Sequence, residues 1–190
     1  MAVKVRLDLR HVILFAMLGA IMLAGKLAFE GIRNVHLVGM LIVTYTVVYR
    51  KYALFPLYVF VLLAGLYYGF AQWWLSYLYI WAVLWGMTML LPQHTPRLLR
   101  GRLSEKTVRM LQIAMYSGIC GLHGLLYGTL YATLWAWIGH LSFRGTLAWI
   151  AAGIPSDLIH CVSNLFMGSL VYPLAKLLGK LERNMAMHLN

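Results

Sequence analysis

Six long apolar runs, separated by short polar segments, organise the chain. They cover approximately residues 11–29, 37–49, 52–70, 73–91, 110–139 and 147–178. A helix of about 20 apolar residues crosses the hydrocarbon core of a bilayer, and the longer fifth and sixth runs would tilt or project past it. The pattern predicts an all-α membrane protein, a six-transmembrane-helix bundle that forms a single integral membrane domain over residues 1–190.

The composition supports a membrane protein. Hydrophobic residues make up 62% of the chain and charged residues 11%. A soluble domain could not bury so much apolar surface, and no polar segment is long enough to form a second domain. Cys120 and Cys161 both lie in apolar runs and form no CxxC pair. We therefore expect buried free thiols rather than a disulfide or a zinc site.

The basic residues mark one side of the predicted bundle. The net charge is +11, and only Lys26, Arg33 and Arg144 fall outside the two termini and the second and fourth connecting segments. Because basic loops stay on the cytoplasmic side, this asymmetry predicts that both termini are cytoplasmic. It also argues against a nucleic acid partner, since the charge marks loops that contact the anionic headgroups of the lipid bilayer.

A polar segment interrupts the last apolar run. Residues 153–164 read GIPSDLIHCVSN, and helical spacing puts Asp157, His160 and Asn164 on one face. A carboxylate in hydrocarbon costs at least about 2.5 kcal/mol, so such groups turn inward and find partners. Pro155 also removes one backbone donor, a break that is tolerated beside protein or a cavity. The segment is either the floor of a substrate pocket or a structural hydrogen-bond staple between helices.

Aromatic residues on the fourth and fifth runs extend this candidate pocket. Tyrosine and tryptophan gather at membrane interfaces, which accounts for those at the start of the fourth run. Trp81 and Trp85 lie deeper and could stack on an aromatic or cationic ligand, or simply pack in the core. His123 and Tyr127 share one face of the fifth run with several glycines nearby. Whether this face meets Asp157 and His160 is open at this point.

The first run carries a ridge of small residues. Ala16, Ala20 and Ala24 stand four apart, so they stack on one helical face that another helix can approach closely. The ridge serves either packing within the bundle or docking of a partner subunit. The following loop, residues 26–36, is either a lid over the outer mouth or a solvated segment in which Lys26 pairs with Glu30.

Three segments resemble the substrate-binding S component of energy-coupling factor (ECF) transporters. They are AMLGAIMLA at 16–24, GLYYGFAQWWLSYLYIW at 65–81 and GIPSDLIHCVSN at 153–164. The likeness covers essentially the whole chain. It implies a multi-pass protein of a prokaryotic plasma membrane that captures a vitamin or similar small micronutrient from outside.

The resemblance also implies partners and excludes roles. In that family the S component associates with a transmembrane coupling protein and two ATPase subunits. The likeness implies that Ala16, Ala20 and Ala24 face the coupling protein and that loop 26–36 helps to close over the substrate. The chain has no GxxxxGK[ST] motif, so ATP hydrolysis is expected elsewhere. We expect no cofactor, no resident metal and no catalytic residue in this chain.

Three rival functions remain open. One is a purely structural membrane subunit, which no ligand would stabilise. A metal-ion carrier would take its ligands from the acid, histidines and thiol of the fifth and sixth runs, namely Asp157, His160, His123 and Cys161. An intramembrane enzyme would align a hydroxyl or thiol with a histidine, and Ser156, Asp157 and His160 on one helix cannot converge as a hydrolytic triad does.

Overall fold

The fold is known from a computed structural model, which describes residues 2–3, 7–32, 34–92 and 102–187. These residues form helices and turns, and none of them forms a β-strand. The elements are α1 (Leu9–Ala28), α2 (Val38–Tyr49), a 3₁₀ helix (Arg50–Ala53), α3 (Leu54–Tyr68), α4 (Gln72–Leu90), α5 (Glu105–Ile138), α6 (Phe143–Gly168) and α7 (Val171–Met187). The prediction of an all-helical chain is confirmed for this part of the protein.

Some of the basic residues behind the charge argument lie outside the described residues. They are Lys4, Arg6, Arg33, Arg97 and Arg100. Apart from Lys26 and Arg144, the basic residues that are described gather at one end of the bundle. Lys51 lies between α2 and α3, Lys106 and Arg109 begin α5, and Lys180 and Arg183 lie on α7.

The structure divides the predicted sixth run. The expected helix over 147–178 is instead α6, which ends at Gly168, followed by a turn and α7. The amides of Ser169 and Leu170 donate to the carbonyls three residues earlier, which tightens the chain and ends α6. Buried positions on α7 recur at Val171, Ala175 and Glu182 while its other faces are exposed, so α7 is an amphipathic helix against the bundle.

Three stretches of the described chain are long and apolar enough to cross a membrane. They are Leu9–Ala28, Val38–Tyr68 and Phe143–Gly168. Large apolar side chains are exposed on α1 and α6, for example Met17, Ile21, Val162 and Phe166. So much outward apolar surface is expected of a protein that lies in lipid, because water would make it costly.

The centre of the bundle is α2. Every residue from Val38 to Tyr49 is buried, as expected of a helix that is apolar on all sides. Helices α1, α4, α6 and α7 pack around it. The other main packing is between α5 and α6, where a β-carbon on Gly124 would lie 2.8 Å from the carbonyl oxygen of His160. The missing side chain therefore lets the two backbones approach, and the polar faces of α5 and α6 meet.

Candidate functional site

A cavity of about 600 Å³ opens at one end of the bundle. It lies where α1 and α3 end, where α4 begins, and beside the second half of α5 and the first half of α6. These helix ends all belong to the side that the charge pattern predicts to be external. The lining residues are Lys26, Asn34, Tyr68, Trp73, Tyr77, Tyr127, Gly128, Tyr131, Trp149, Ile150, Gly153, Ser156, Asp157 and His160.

Asp157 supplies the negative charge of the cavity. The residue is only 7% exposed, and its Oδ1 accepts a hydrogen bond from the backbone amide of Gly128 at 3.0 Å. A β-carbon on Gly128 would overlap this carboxylate, and one on Gly153 would touch it at 3.9 Å. Two glycines thus make room for the acid. No Lys, Arg or His in the described part of the chain lies within ion-pair distance of it.

Lys26 supplies the positive charge. Its Nζ lies 3.4 Å from the hydroxyl of Tyr68 and 4.4 Å from the centre of that ring, a cation–π contact. The expected alternative, an ion pair with Glu30, is not formed within 4.0 Å among the described residues. Lys26 therefore reaches into the outer mouth with one long hydrogen bond to hold it.

A pair of histidines lies beneath the cavity. The Nε2 atoms of His160 and His36 are 3.0 Å apart, so one ring donates and the other accepts. Burial, with His160 nearby, lowers the pKa of His36 to about 3, and this loop histidine is neutral at pH 7. The ring of Tyr127 packs edge-on against His160 with 4.8 Å between centroids. Tyr127 and His160, predicted as site residues, therefore form one wall together.

The loop between α1 and α2 is attached to α6 next to the acid. Asn34 has a left-handed backbone with φ of 60°, and its Nδ2 donates to the Oγ of Ser156 at 2.6 Å. The Oγ of Ser163 in turn donates to the carbonyl of Asn34 at 2.7 Å. Because Asn34 also lines the cavity, the loop forms part of its rim.

Three predicted residues lie deeper than the main cavity. Trp81 is 1% exposed and lines only an adjoining cavity of about 220 Å³ that also touches His36. His123 is fully buried, and its Nε2 lies 3.0 Å from the carbonyl oxygen of Ile80. Asn164 is 1% exposed between α2, α5 and α6, and neither atom of its amide finds a hydrogen-bond partner among the described residues. These residues support the floor without reaching the cavity.

Trp85 lies elsewhere. It lines neither cavity, and its Nε1 donates to the carbonyl of Arg50 at 3.2 Å, towards the opposite end of the bundle. Trp81 and Trp85, both chosen for their depth, therefore have different surroundings. Trp85 lies one helical turn beyond Trp81 and contacts the junction of α2 and α3 instead of the aromatic cluster.

The sequence reasoning missed most of the aromatic wall. Trp73 and Tyr77, interpreted there as interfacial residues, form with Trp81 a column of rings 5.1 and 5.5 Å apart along α4. A second column continues from Tyr127 through Tyr131, 6.2 Å apart and stacked. The spacing of four residues at 73, 77 and 81 carried this signal, but the sequence-based choice was Trp81 and Trp85, and the start of the run was assigned to the membrane interface. Lys26 and Asn34 belong to segment 26–36, which was predicted as a possible lid. The other lining residues that were not predicted as site residues are Tyr68, Trp73, Tyr77, Gly128, Tyr131, Trp149, Ile150, Gly153 and Ser156.

The described residues do not provide the ligands of a metal site. Among the described residues, no group of three or more His, Cys, Asp and Glu side chains is placed to hold a metal ion. The arrangement instead suits a small organic molecule: apolar and aromatic walls with a few convergent polar groups. Comparisons with known protein families, with characterised proteins and with solved structures find no match to this chain.

Proposed function

We propose that this protein is the substrate-capture subunit of an ATP-driven, ECF-type importer of a vitamin or related small micronutrient. The observation that carries the proposal is the aromatic cavity of about 600 Å³ at one end of a bundle with an apolar exterior. Pockets for small ligands combine such walls with a small number of polar groups that set orientation. The likeness of three segments to the S component supports the same assignment.

The first helix supports a docking role. Ala16, Ala20 and Ala24 are all exposed, so they do not serve packing within the bundle. The same helix uses Gly19, on another face, to pack against Val59 of α3. An exposed ridge of small residues leaves a shallow groove that a second helix can enter. The proposed occupant is the transmembrane coupling protein, which would bring two ATPase subunits.

The proposed topology has six spans with both termini in the cytoplasm of a prokaryotic cell. The long α2–α3 stretch, with its 3₁₀ turn at Arg50–Ala53, would supply two of them. The cavity would then open to the outside, and the basic ends of α5 and α7 would face anionic lipid on the inner side. In the proposed cycle the ligand enters from outside, and the motor drives its release inside.

A test of the docking face separates it from ligand capture. Ala20→Trp fills the groove with a large ring, and we expect co-purification with the coupling protein and ATPases of the host to fall at least tenfold. Val162→Trp places the same ring on the exposed face of α6 and serves as the control. Equal assembly of both variants would contradict the docking face. Ligand capture has its own test, a thermal-shift screen of the purified chain against a library of vitamins and their precursors. If none of these compounds stabilises the chain, capture is contradicted.

The rival functions gain no specific support. The hydroxyl of Ser163 donates to two carbonyl oxygens, of Asn34 and His160, rather than to an imidazole. Activation of a hydroxyl by histidine needs the latter contact. A metal carrier would need the ligand cluster that the described residues do not form.

A further inference from the structure

We propose that the cavity selects a zwitterion with an aromatic or apolar body, in the manner of an aromatic amino acid. Asp157 would receive the ammonium group and Lys26 the anionic group. This inference rests on the proposed capture function and names the class of its substrate. The observation behind the inference is that Lys26 and Asp157, which carry opposite charges, line the same cavity without pairing. Tyr68 holds the lysine and Gly128 holds the carboxylate.

The charge content of the cavity is balanced. Its described lining includes one basic side chain of the lysine or arginine type, Lys26, and one carboxylic acid, Asp157. They come from different helices, α1 and α6, and they are not within 4.0 Å of each other. Opposite charges in a poorly solvated space attract strongly unless something keeps them apart. A ligand that carries both complementary charges would bridge the gap.

Asp157 is held so that part of its carboxylate remains available. Gly128 donates one backbone hydrogen bond to Oδ1. A second oxygen then remains to accept from a ligand, and the absence of side chains on Gly128 and Gly153 leaves room for the carboxylate at the cavity wall. A buried carboxylate needs a counter-charge, and no described residue supplies one. A ligand ammonium has three donors and would complete the site.

Lys26 is oriented by Tyr68, while the nearby acid Glu30 attracts it only from beyond 4.0 Å. The ring of Tyr68 lies beneath its ammonium group, and the hydrogen bond to the hydroxyl is long at 3.4 Å. Tyr68 therefore aims the charge without cancelling it. The remaining donors of the ammonium can bind a carboxylate or another anionic group of the ligand.

The pair discriminates against ligands with a single charge. A plain amine that binds Asp157 would share the cavity with the ammonium of Lys26, and a plain acid at Lys26 would share it with the carboxylate of Asp157. Like charges in one desolvated pocket repel, which is how a site rejects the wrong partner. Only a molecule with both charges satisfies both groups.

The walls define the rest of the ligand. Tyr68, Trp73 and Tyr77 line one side of the cavity, and Tyr127 and Tyr131 line another. Aromatic rings stack or meet edge to face with such walls. The volume lies within the range of about 300–1,000 Å³ that is typical of small-molecule pockets. An aromatic amino acid, or a heteroaromatic compound with a similar charge pair, fits this description.

The test uses three probes with one ring system. L-tryptophan, tryptamine and indole-3-propionate differ in charge while the indole stays the same. We expect the purified full chain in detergent to bind tryptophan at least tenfold more tightly than either singly charged compound, measured by calorimetry and by thermal shift. Asp157→Asn should move the preference to indole-3-propionate, and Lys26→Met should move it to tryptamine. Lys51→Met removes an exposed lysine at the opposite end and should leave the order unchanged.

The outcomes distinguish this inference from the function on which it rests. If tryptamine or indole-3-propionate binds the unaltered protein as well as tryptophan, or if no member of the set binds, the zwitterion is overturned. If a singly charged or neutral compound of the vitamin and precursor library stabilises the protein in that case, the proposed capture function still holds. Because the readout is the order of three ligands within each variant, a general loss of stability does not imitate the expected reversal.

Discussion

The two ends of the bundle handle buried charge in opposite ways. At the end that the proposed topology makes the outer one, Lys26 and Asp157 line one open cavity and do not pair. At the opposite end, the proposed inner end, Glu182 of α7 is 6% exposed and sits in a cluster of polar and charged groups. Its carboxylate accepts from the hydroxyl of Tyr49 at 3.0 Å and lies 3.8 Å from Arg10 and 3.9 Å from His11.

This difference separates structural charge from functional charge. The inner cluster joins α7 to α1 and α2, and its opposite charges lie within 4.0 Å of each other, although Nη2 of Arg10 has no hydrogen-bond partner among the described residues. Its role is to hold helices together. The outer charges are held by glycines and an aromatic ring, and among the described residues no opposite charge lies within 4.0 Å of either. Under the proposed function, such groups reduce stability and are retained because they bind the ligand. The four predictions below test this comparison, from the largest expected effect to the smallest.

The largest effect is expected at the inner cluster. Glu182→Ala leaves Tyr49 without its acceptor and Arg10 without its counter-charge. We expect a loss of about 2–3 kcal/mol in the free energy of unfolding, since Arg10 is partly exposed and solvent screens its share. Thermal unfolding in detergent measures it. Glu105→Ala, at an exposed acid in the first turn of α5, should change stability far less.

Acid should weaken the outer end through its loop histidine. The pKa of His36 is about 3 in the folded protein and about 6.5 in an unfolded chain. As the pH falls below about 6.5, the unfolded chain therefore binds a proton at His36 that the folded protein does not bind. Stability is therefore complete above about pH 6.5 and falls as the pH drops towards 3, by about 1–2 kcal/mol between pH 7 and 5. The groups that face His36 electrostatically are His160, His123 and Lys26.

The same titration in a variant identifies the source of the slope. His36→Gln keeps a polar group near His160 and removes the titrating ring, so the stability difference between pH 7 and 5 should shrink. An unchanged slope in His36→Gln would assign the acid sensitivity to other groups.

A single methyl group should disable the cavity with little harm to the bundle. Gly128→Ala puts a β-carbon where the carboxylate of Asp157 lies, so the acid must turn away. We expect at least a tenfold loss of ligand affinity, about 1.4 kcal/mol. Gly118→Ala is the matched control on α5, because a β-carbon there meets nothing within 4 Å. Equal affinity in the two variants would show that the position of the carboxylate does not govern binding.

The sequence predicted the helices better than it predicted the cavity. Apolar runs located the first five helices, because burial of apolar surface decides where helices form. The turn at Ser169 was missed because an amphipathic helix follows an apolar one without a polar break. Asp157 and His160 were expected to face the interior because a polar group in an apolar run is costly. Tyr127 was chosen because it shares one face of the fifth run with His123. All three line the cavity.

The rest of the site depended on packing between helices. Helical spacing alone gives several possible faces for an aromatic run. The packing of α4 against its neighbours determines that Trp73 and Tyr77 line the cavity and that Trp85 does not. Lys26 reaches the cavity from the segment that the sequence left open between a lid and a solvated loop. Its role depends on Tyr68, which is 42 residues away along the chain, and no local pattern joins them.

The smallest effect is expected from removing both outer charges together. The double variant Asp157→Asn with Lys26→Met retains an amide oxygen to accept from Gly128 and a side chain of similar length beside Tyr68. We expect the free energy of unfolding without ligand to stay unchanged or to rise by about 0–1 kcal/mol, because no charge pair is broken and two desolvated charges are removed. Ligand stabilisation should be lost in the same protein.

The inner end supplies the comparison for this double variant. Glu182→Gln with Arg10→Met also removes one acid and one base, yet it takes apart a cluster whose charged groups already contact each other, so we expect lower stability than in the unaltered protein. Thermal unfolding of the two double variants without ligand shows which end of the bundle depends on its charges for stability. A fall at the outer end as large as the fall at the inner end would mean that Asp157 serves as a staple between α5 and α6, and the outer charges would then have a structural role like that of Glu182.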